Sequence, residues 1–153
     1  VGQINLQGLS KTSNGVTQPI TSTLSANELD IFSGSTLLLA DSALLKASQS
    51  NTQSAATAFL HAANSLNFGG RTGTSVVGET TFGAVTLKSD RNIDLSGTVD
   101  AGSISFLAGI GASKDGGISA DSDTRLSATS GNLVIQRAPE ARTVFLGMNG
   151  GVT

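Results

Sequence analysis

The stretch that decides the fold is Val85-Thr86-Leu87-Lys88-Ser89-Asp90-Arg91-Asn92-Ile93-Asp94-Leu95-Ser96-Gly97-Thr98-Val99-Asp100-Ala101-Gly102-Ser103-Ile104-Ser105-Phe106-Leu107-Ala108. Apolar and polar residues alternate in short runs: Val85/Leu87, Ile93/Leu95, Ile104/Phe106. Ser, Asp, Asn and Gly separate the runs. Alternation with a period of two is the mark of a strand with one buried face, and the separators are turn formers. Strand, turn, strand, turn within some twenty residues is what one coil of a β-solenoid requires. Each coil cannot bury its apolar side alone, and stacked coils bury it as a continuous column.

Working outward, a degenerate motif of a glycine followed by a β-prone run recurs at Ser33-Gly34 to Ala40, Phe82-Gly83 to Ser89, Ala101-Gly102 to Ala108 and Ser130-Gly131 to Arg137. The glycines at 34, 83, 102 and 131 are unevenly spaced, as if some coils of about twenty residues carry inserted loops. A second motif of apolar, polar, apolar recurs at Leu29-Asp30-Ile31, Leu66-Asn67-Phe68, Ile93-Asp94-Leu95 and Val144-Phe145-Leu146. The expected fold is therefore all-β, a right-handed parallel β-solenoid, with an antiparallel pilin-like β-sandwich as the alternative. Strands are expected near 28–32, 36–40, 84–88, 92–95, 103–107 and 132–136. Their inward residues are Leu29, Ile31, Leu87, Ile93, Leu95, Ile104, Phe106, Leu133 and Ile135.

Two segments read differently. Over 53–64, Ala56, Phe59, Leu60 and Ala63 fall at i, i+3, i+4 and i+7, which predicts one short helix. Over 10–25 the chain is polar and Thr-rich with Pro19, which predicts an irregular arm. The 153 residues are expected to form a single β-rich domain or a fragment of a longer solenoid.

Composition narrows the function. The net charge is −2, from nine basic and eleven acidic residues. Nucleic acid and anionic membranes select dense basic surfaces and are not expected as main partners. The longest apolar run, Leu37-Leu38-Leu39-Ala40, is far short of the roughly twenty residues that span a bilayer. There is no Cys, so disulfides, thiolate metal sites and Cys nucleophiles are excluded. Ser and Thr number 21 and 17, while charged residues make up 13%. This small, polar, charge-poor surface suits secreted and fibrous β-proteins, so an extracellular or outer-surface location is expected.

Catalytic chemistry has little to stand on. His61 is the sole histidine, and no Gly-x-Ser-x-Gly elbow surrounds any serine. The Gly-rich segments at 69–73 and 109–117 lack the Gly-Lys-Ser/Thr ending of a phosphate loop. The nearest approach to a metal site is Asp115, Asp121 and Asp123, where Gly116-Gly117-Ile118-Ser119-Ala120-Asp121 partly matches a calcium-binding nonapeptide. Ser119 stands where that repeat needs Gly, and Asp123 where it needs an apolar residue. No enzyme activity, no cofactor and no metal are expected.

The segment from Leu87 to Ser105 resembles the repeats of filamentous-haemagglutinin-type exoproteins, with the likeness extending over about Thr81 to Gln136. Those proteins are large right-handed parallel β-helices exported by two-partner secretion. The resemblance implies a structural or adhesive segment of a secreted bacterial surface protein. The alternative is a self-polymerising filament subunit that assembles by strand donation, as pilins do. The expected partners are other copies of the chain or neighbouring coils, with a host or surface receptor as a further partner. The apolar, β-prone stretches Val1 to Leu6 and Thr143 to Met148 contain none of the Lys or Pro that commonly blocks a sheet edge. Self-association is therefore placed on Val1, Ile4, Leu6, Val144 and Leu146.

Overall fold

A computed structural model of the chain describes residues 4–6, 10–14, 16–19, 22–48, 56–72, 81–111, 116–137, 143–146 and 151–152. The alternation read from the sequence becomes a stack of coils with three faces. The first face is a six-stranded sheet of β1 (Ile4–Leu6), β6 (Leu37–Leu39), β9 (Ser65–Phe68), β12 (Asn92–Leu95), β14 (Gly117–Ala120) and β17 (Thr143–Leu146), in that spatial order. The second face is formed by β4 (Ser22–Ser25), β7 (Ala43–Lys46), β10 (Arg71–Thr72), the start of β13 (Thr98–Ala108), β15 (Arg125–Ala128) and β18 (Gly151–Val152). The third is formed by β5 (Glu28–Ser33), β8 (Thr57–Ala62), β11 (Phe82–Ser89), the end of β13 and β16 (Leu133–Arg137). Because β13 rounds the corner without a break, the second and third faces make one ten-stranded sheet.

Every ladder in these sheets is parallel, as a solenoid requires and a sandwich of antiparallel hairpins does not. Ile4, Leu37, Leu66, Ile93, Ile118 and Val144 stand in one column of the first face. On the third face Phe82 pairs with Ala101, a step of 19 residues (101 − 82), which is the bare coil expected from the sequence. The column Leu66–Ile93 advances by 27 (93 − 66), so longer connections account for the uneven glycine spacing. Registers on the third face put Gly83, Gly102 and Gly131 in line at one corner. Gly34 follows β5 at a different corner. Close approach explains the glycine at 102, where an added Cβ would lie 2.5 Å from the Gly83 carbonyl oxygen.

The core is the set of inward columns. Leu37, Leu39, Leu66, Phe68, Ile93 and Leu95 are buried on the first face. On the third face, one column runs Ile31, Leu60, Leu87, Phe106, Ile135, and its neighbour runs Leu29, Ala58, Val85, Ile104, Leu133. All nine residues expected to point inward belong to the core or pack against it. At Thr72, the last described residue of β10, a side chain continues the ladder. The Thr72 hydroxyl donates to the Asp100 carbonyl at 2.8 Å and accepts the Asp100 N–H at 2.7 Å.

The helix expected over 53–64 is not present among the described residues. Thr57–Ala62 is strand β8, paired on both sides, and residues 53–55 lie outside the described residues. Alanine is the reason that helix and strand periods coincide here. Ala56 and Leu60 serve a helical face and a strand face equally, so the period is ambiguous. Tertiary pairing decides it, because a helix here would leave the facing backbone groups of β5 and β11 without partners. Inward go Ala58, Leu60 and Ala62, while Phe59 goes out.

The arm expected over 10–25 is also more regular than that. β2 (Ser10–Ser13) and β3 (Val16–Pro19) form an antiparallel hairpin, and β4 joins the second face beside β7. Ser13 pairs with Val16 across a two-residue connection, with Asn14 at φ 53°. Asn14-Gly15 is the sequence pattern that a two-residue hairpin turn favours.

Candidate functional site

Strand alternation on the third face also fixes what points outward. One outer column is Phe32, His61, Lys88, Leu107 and Gln136. The next is Asp30, Phe59, Thr86, Ser105 and Val134. Phe32 is 59% exposed and Phe59 37%, and they are the exposed large hydrophobic residues of the described structure. Two phenylalanines left in water on adjacent strands, in a chain with six in all, form the most distinctive surface feature.

His61 ties them together. Its ring meets Phe32 edge to face at 5.0 Å between centroids and Phe59 at 6.4 Å. Its Nε2–H donates to Asp90 Oδ1 at 2.8 Å. Asp90 lies just past β11, so the pair bridges neighbouring coils and fixes the imidazole between the phenyl rings. Lys88 Nζ stands 6.0 Å from the Phe59 centroid, at the outer range of a cation–π contact. These partners of His61 are a carboxylate and two hydrocarbon rings, with no hydroxyl or thiol among them. What the arrangement offers is a rigid, half-apolar contact surface with a carboxylate and a cation at its margin.

The acidic candidates are placed as follows. Asp115 lies outside the described residues. Asp121 Oδ1 accepts the N–H groups of Asp123 at 3.0 Å and Thr124 at 3.1 Å, and the Thr124 hydroxyl at 3.1 Å. That oxygen closes a turn, which is the ordinary local use of Asp. Asp123 is exposed. A shallow groove on the first face holds Asn67, Asp94, Ser119 and Asp121, and the Ser119 hydroxyl donates to Asp94. Among the described residues, no three His, Cys, Asp or Glu gather as a metal cluster.

Of the residues on which self-association is expected, the described ones fall at the two borders of the six-stranded sheet. Val1 lies outside the described residues. Ile4 and Leu6 are on β1, in register with Leu37 and Leu39. Val144 and Leu146 are on β17, in register with Ile118 and Ala120. β1 and β17 are the edge strands of the six-stranded sheet.

Among the described residues, Asp100 is the acid whose environment is plainly unusual. Its Oδ1 is buried and has no hydrogen-bond partner, and burial raises its pKa above the ordinary Asp value of 3.8. An acid that holds its proton longer when folded stabilises the fold less once both states ionise. Stability from this group therefore falls as pH rises past 3.8 and levels off above the raised folded value. Asp100→Asn is expected to raise the urea midpoint at pH 7 and to lose that advantage in acid below 3.8. An equal gain at both pH values would mean that charge burial is not the cause.

The sequence pattern hides the aromatic patch, because Phe59 falls on the inward face of the expected helix. The signal that could have found it was the alternation of Thr57 to Ala62, read as strand. The chain matches no protein-family model, no curated protein and no solved structure. Among the described residues, no helix is long and apolar enough to cross a membrane.

Proposed function

We propose that this chain is a rigid scaffold segment of a secreted bacterial surface protein, of the filamentous-haemagglutinin type its repeats resemble. It works by adhesion and not by catalysis, at the extracellular or outer cell surface, with a host or surface receptor as its partner. The observation that carries this reading is the Phe32–Phe59–His61 patch, held outward on a stack of parallel coils whose core is continuous. Stacked strands give a surface whose side chains keep fixed spacing, which suits repeated contact with a partner. Exposed aromatic residues supply binding energy at small entropic cost.

Strand donation of the pilin kind is less favoured. β1 already occupies its own sheet beside β6, so donating it to a neighbour would empty that place.

The test is adhesion of protein-coated beads to epithelial cell monolayers. Replacing both patch phenylalanines, Phe32→Ser with Phe59→Ser, is expected to lower bead retention roughly tenfold, as loss of an aromatic anchor does. The thermal midpoint should change little, since both side chains face solvent. Retention unchanged in a folded double variant would remove the patch as the adhesive surface. Antibody labelling of intact cells of the source bacterium checks location, and label only after lysis would overturn it.

A further inference from the structure

The aromatic patch has acids beside it as well as rings. Asp30 and Phe32 both point outward from β5, as Phe59 and His61 do from β8. Asp30 is in register with Phe59 and Phe32 with His61, so the four side chains form a square two strands wide. Glu28 stands on the same outward side of β5, two positions before Asp30. Glu28 and Asp30 are exposed, and among the described residues neither carboxylate has a hydrogen-bond or ion-pair partner. The His61 corner of the square is already held by Asp90. The surface is thus set before anything binds, which lowers the ordering cost of association.

An exposed ring beside an unpaired carboxylate suits one kind of group. A cation is drawn to the ring face by its quadrupole and to the carboxylate by charge. A purely apolar partner would cover the rings but strip water from Glu28 and Asp30 with nothing in return. An anionic partner would be repelled by both. The chain itself brings a cation toward this ring: Lys88 Nζ lies 6.0 Å from the Phe59 centroid. Lys88 comes from β11, on one side of β8. On the other side, β5 supplies two carboxylates and no cation.

We infer that the patch takes an arginine side chain of a partner protein, its guanidinium laid on the Phe59 ring and its N–H groups turned to Asp30. A guanidinium is planar and stacks on an aromatic face, and its forked donors match a carboxylate at the ring's margin. A lysine ammonium is a compact, strongly hydrated charge and gains less from such a site. The inference rests on the adhesive reading of the patch and names the chemistry that its receptor presents. It does not depend on what lies beside β5, because strand alternation alone turns these side chains outward.

The test is a nuclear magnetic resonance titration of the unmodified chain with a peptide of alternating glycine and arginine. Matched peptides carry lysine, or citrulline, which keeps the shape of arginine and lacks its charge. The arginine peptide is expected to give saturable shifts at Asp30, Phe32, Phe59 and His61, and to bind more tightly than either comparator. Asp30→Asn is expected to weaken it about threefold, the scale of an exposed ion pair. Phe59→Leu keeps the site apolar, removes the ring and is expected to cost about threefold as well. Lys88→Gln removes a competing cation and is expected to tighten binding. Citrulline binding as tightly as arginine overturns the inference, since charge then plays no part. Lysine binding as tightly overturns the guanidinium assignment. Shifts confined to another face, or no saturable shift at all, overturn the site. These comparisons use the unmodified chain, so they hold even where a variant folds poorly. Bead retention separates this inference from the adhesive reading. Retention lost in the Phe32→Ser, Phe59→Ser variant but unchanged by Asp30→Asn and by excess arginine peptide keeps the patch adhesive and refutes arginine as its ligand. Arginine-peptide binding at the patch with retention unchanged in that double variant refutes adhesion and leaves the recognition standing.

Discussion

Phe106→Ala is expected to cost about 3–5 kcal/mol of folding stability, the range for truncating a buried phenylalanine. Phe106 is fully buried, between Leu87 of β11 and Ile135 of β16 in the same column. A void there cannot close easily. The coils above and below are held at strand spacing by parallel ladders on both sides of β13. Collapse would require whole coils to approach, which the backbone forbids. At roughly 2–4 °C per kcal/mol for a chain of this size, the thermal midpoint should drop by about 10 °C. Phe32→Ala provides the comparison, because Phe32 is 59% exposed and its loss should stay within about 0.5 kcal/mol. In a stack where each coil contacts only its neighbours, the damage should spread to adjacent coils first. Amide exchange should therefore quicken in β11 and β16 before β1 or β4. Equal midpoint shifts for the two phenylalanine variants would contradict the inward and outward assignment of the third face.

That assignment was legible in the sequence wherever residues of contrasting polarity alternate. Leu29-Asp30-Ile31 and Ile93-Asp94-Leu95 each have one polar residue between two aliphatic ones, and only a strand puts such a pair on one side. The segment around Leu60 was not legible, because alanine satisfies either period and carries too little apolar area to choose. Only the ladders from β5 and β11 decide it. The hairpin at 10–19 was signalled by Asn14-Gly15, but its strands are polar on both sides and give no alternation to read. Register between coils was beyond local pattern altogether. The column step is 19 residues at Phe82–Ala101 and 29 at Ile104–Leu133 (133 − 104), so connection length and not sequence period sets which residues meet. The aromatic patch follows from register, since Phe32 and His61 are neighbours only because β5 and β8 pair at Phe32–His61. Its chemistry was visible residue by residue; its assembly was not.

The corner between β12 and β13 shows the same dependence on stacking, and Gly97→Ala should expose it. An added Cβ at Gly97 would lie 2.0 Å from the Gly70 carbonyl oxygen and 2.7 Å from the Gly69 carbonyl carbon. Both are backbone atoms of the preceding coil, and neither can rotate away. The Gly70 oxygen is also committed, since it accepts the Thr98 N–H at 2.9 Å. Moving it would break the first ladder bond of β13. The expected loss is about 3 kcal/mol, the upper range for forcing extra volume into a packed site. Gly69→Ala tests whether space is the cause. There the nearest atoms to a new Cβ are the Leu39 carbonyl oxygen and Ser96 Oγ, each at 3.2 Å. Small shifts relieve that contact, and the alanine restricts the unfolded chain, which favours folding by up to about 1 kcal/mol. The net effect at position 69 should be near zero, against a large loss at 97. Chemical denaturation of the two variants decides the matter. If Gly97→Ala unfolds at the same urea concentration as the unmodified chain, the coils do not approach at this corner as described, and the close stacking of backbone on backbone is wrong there.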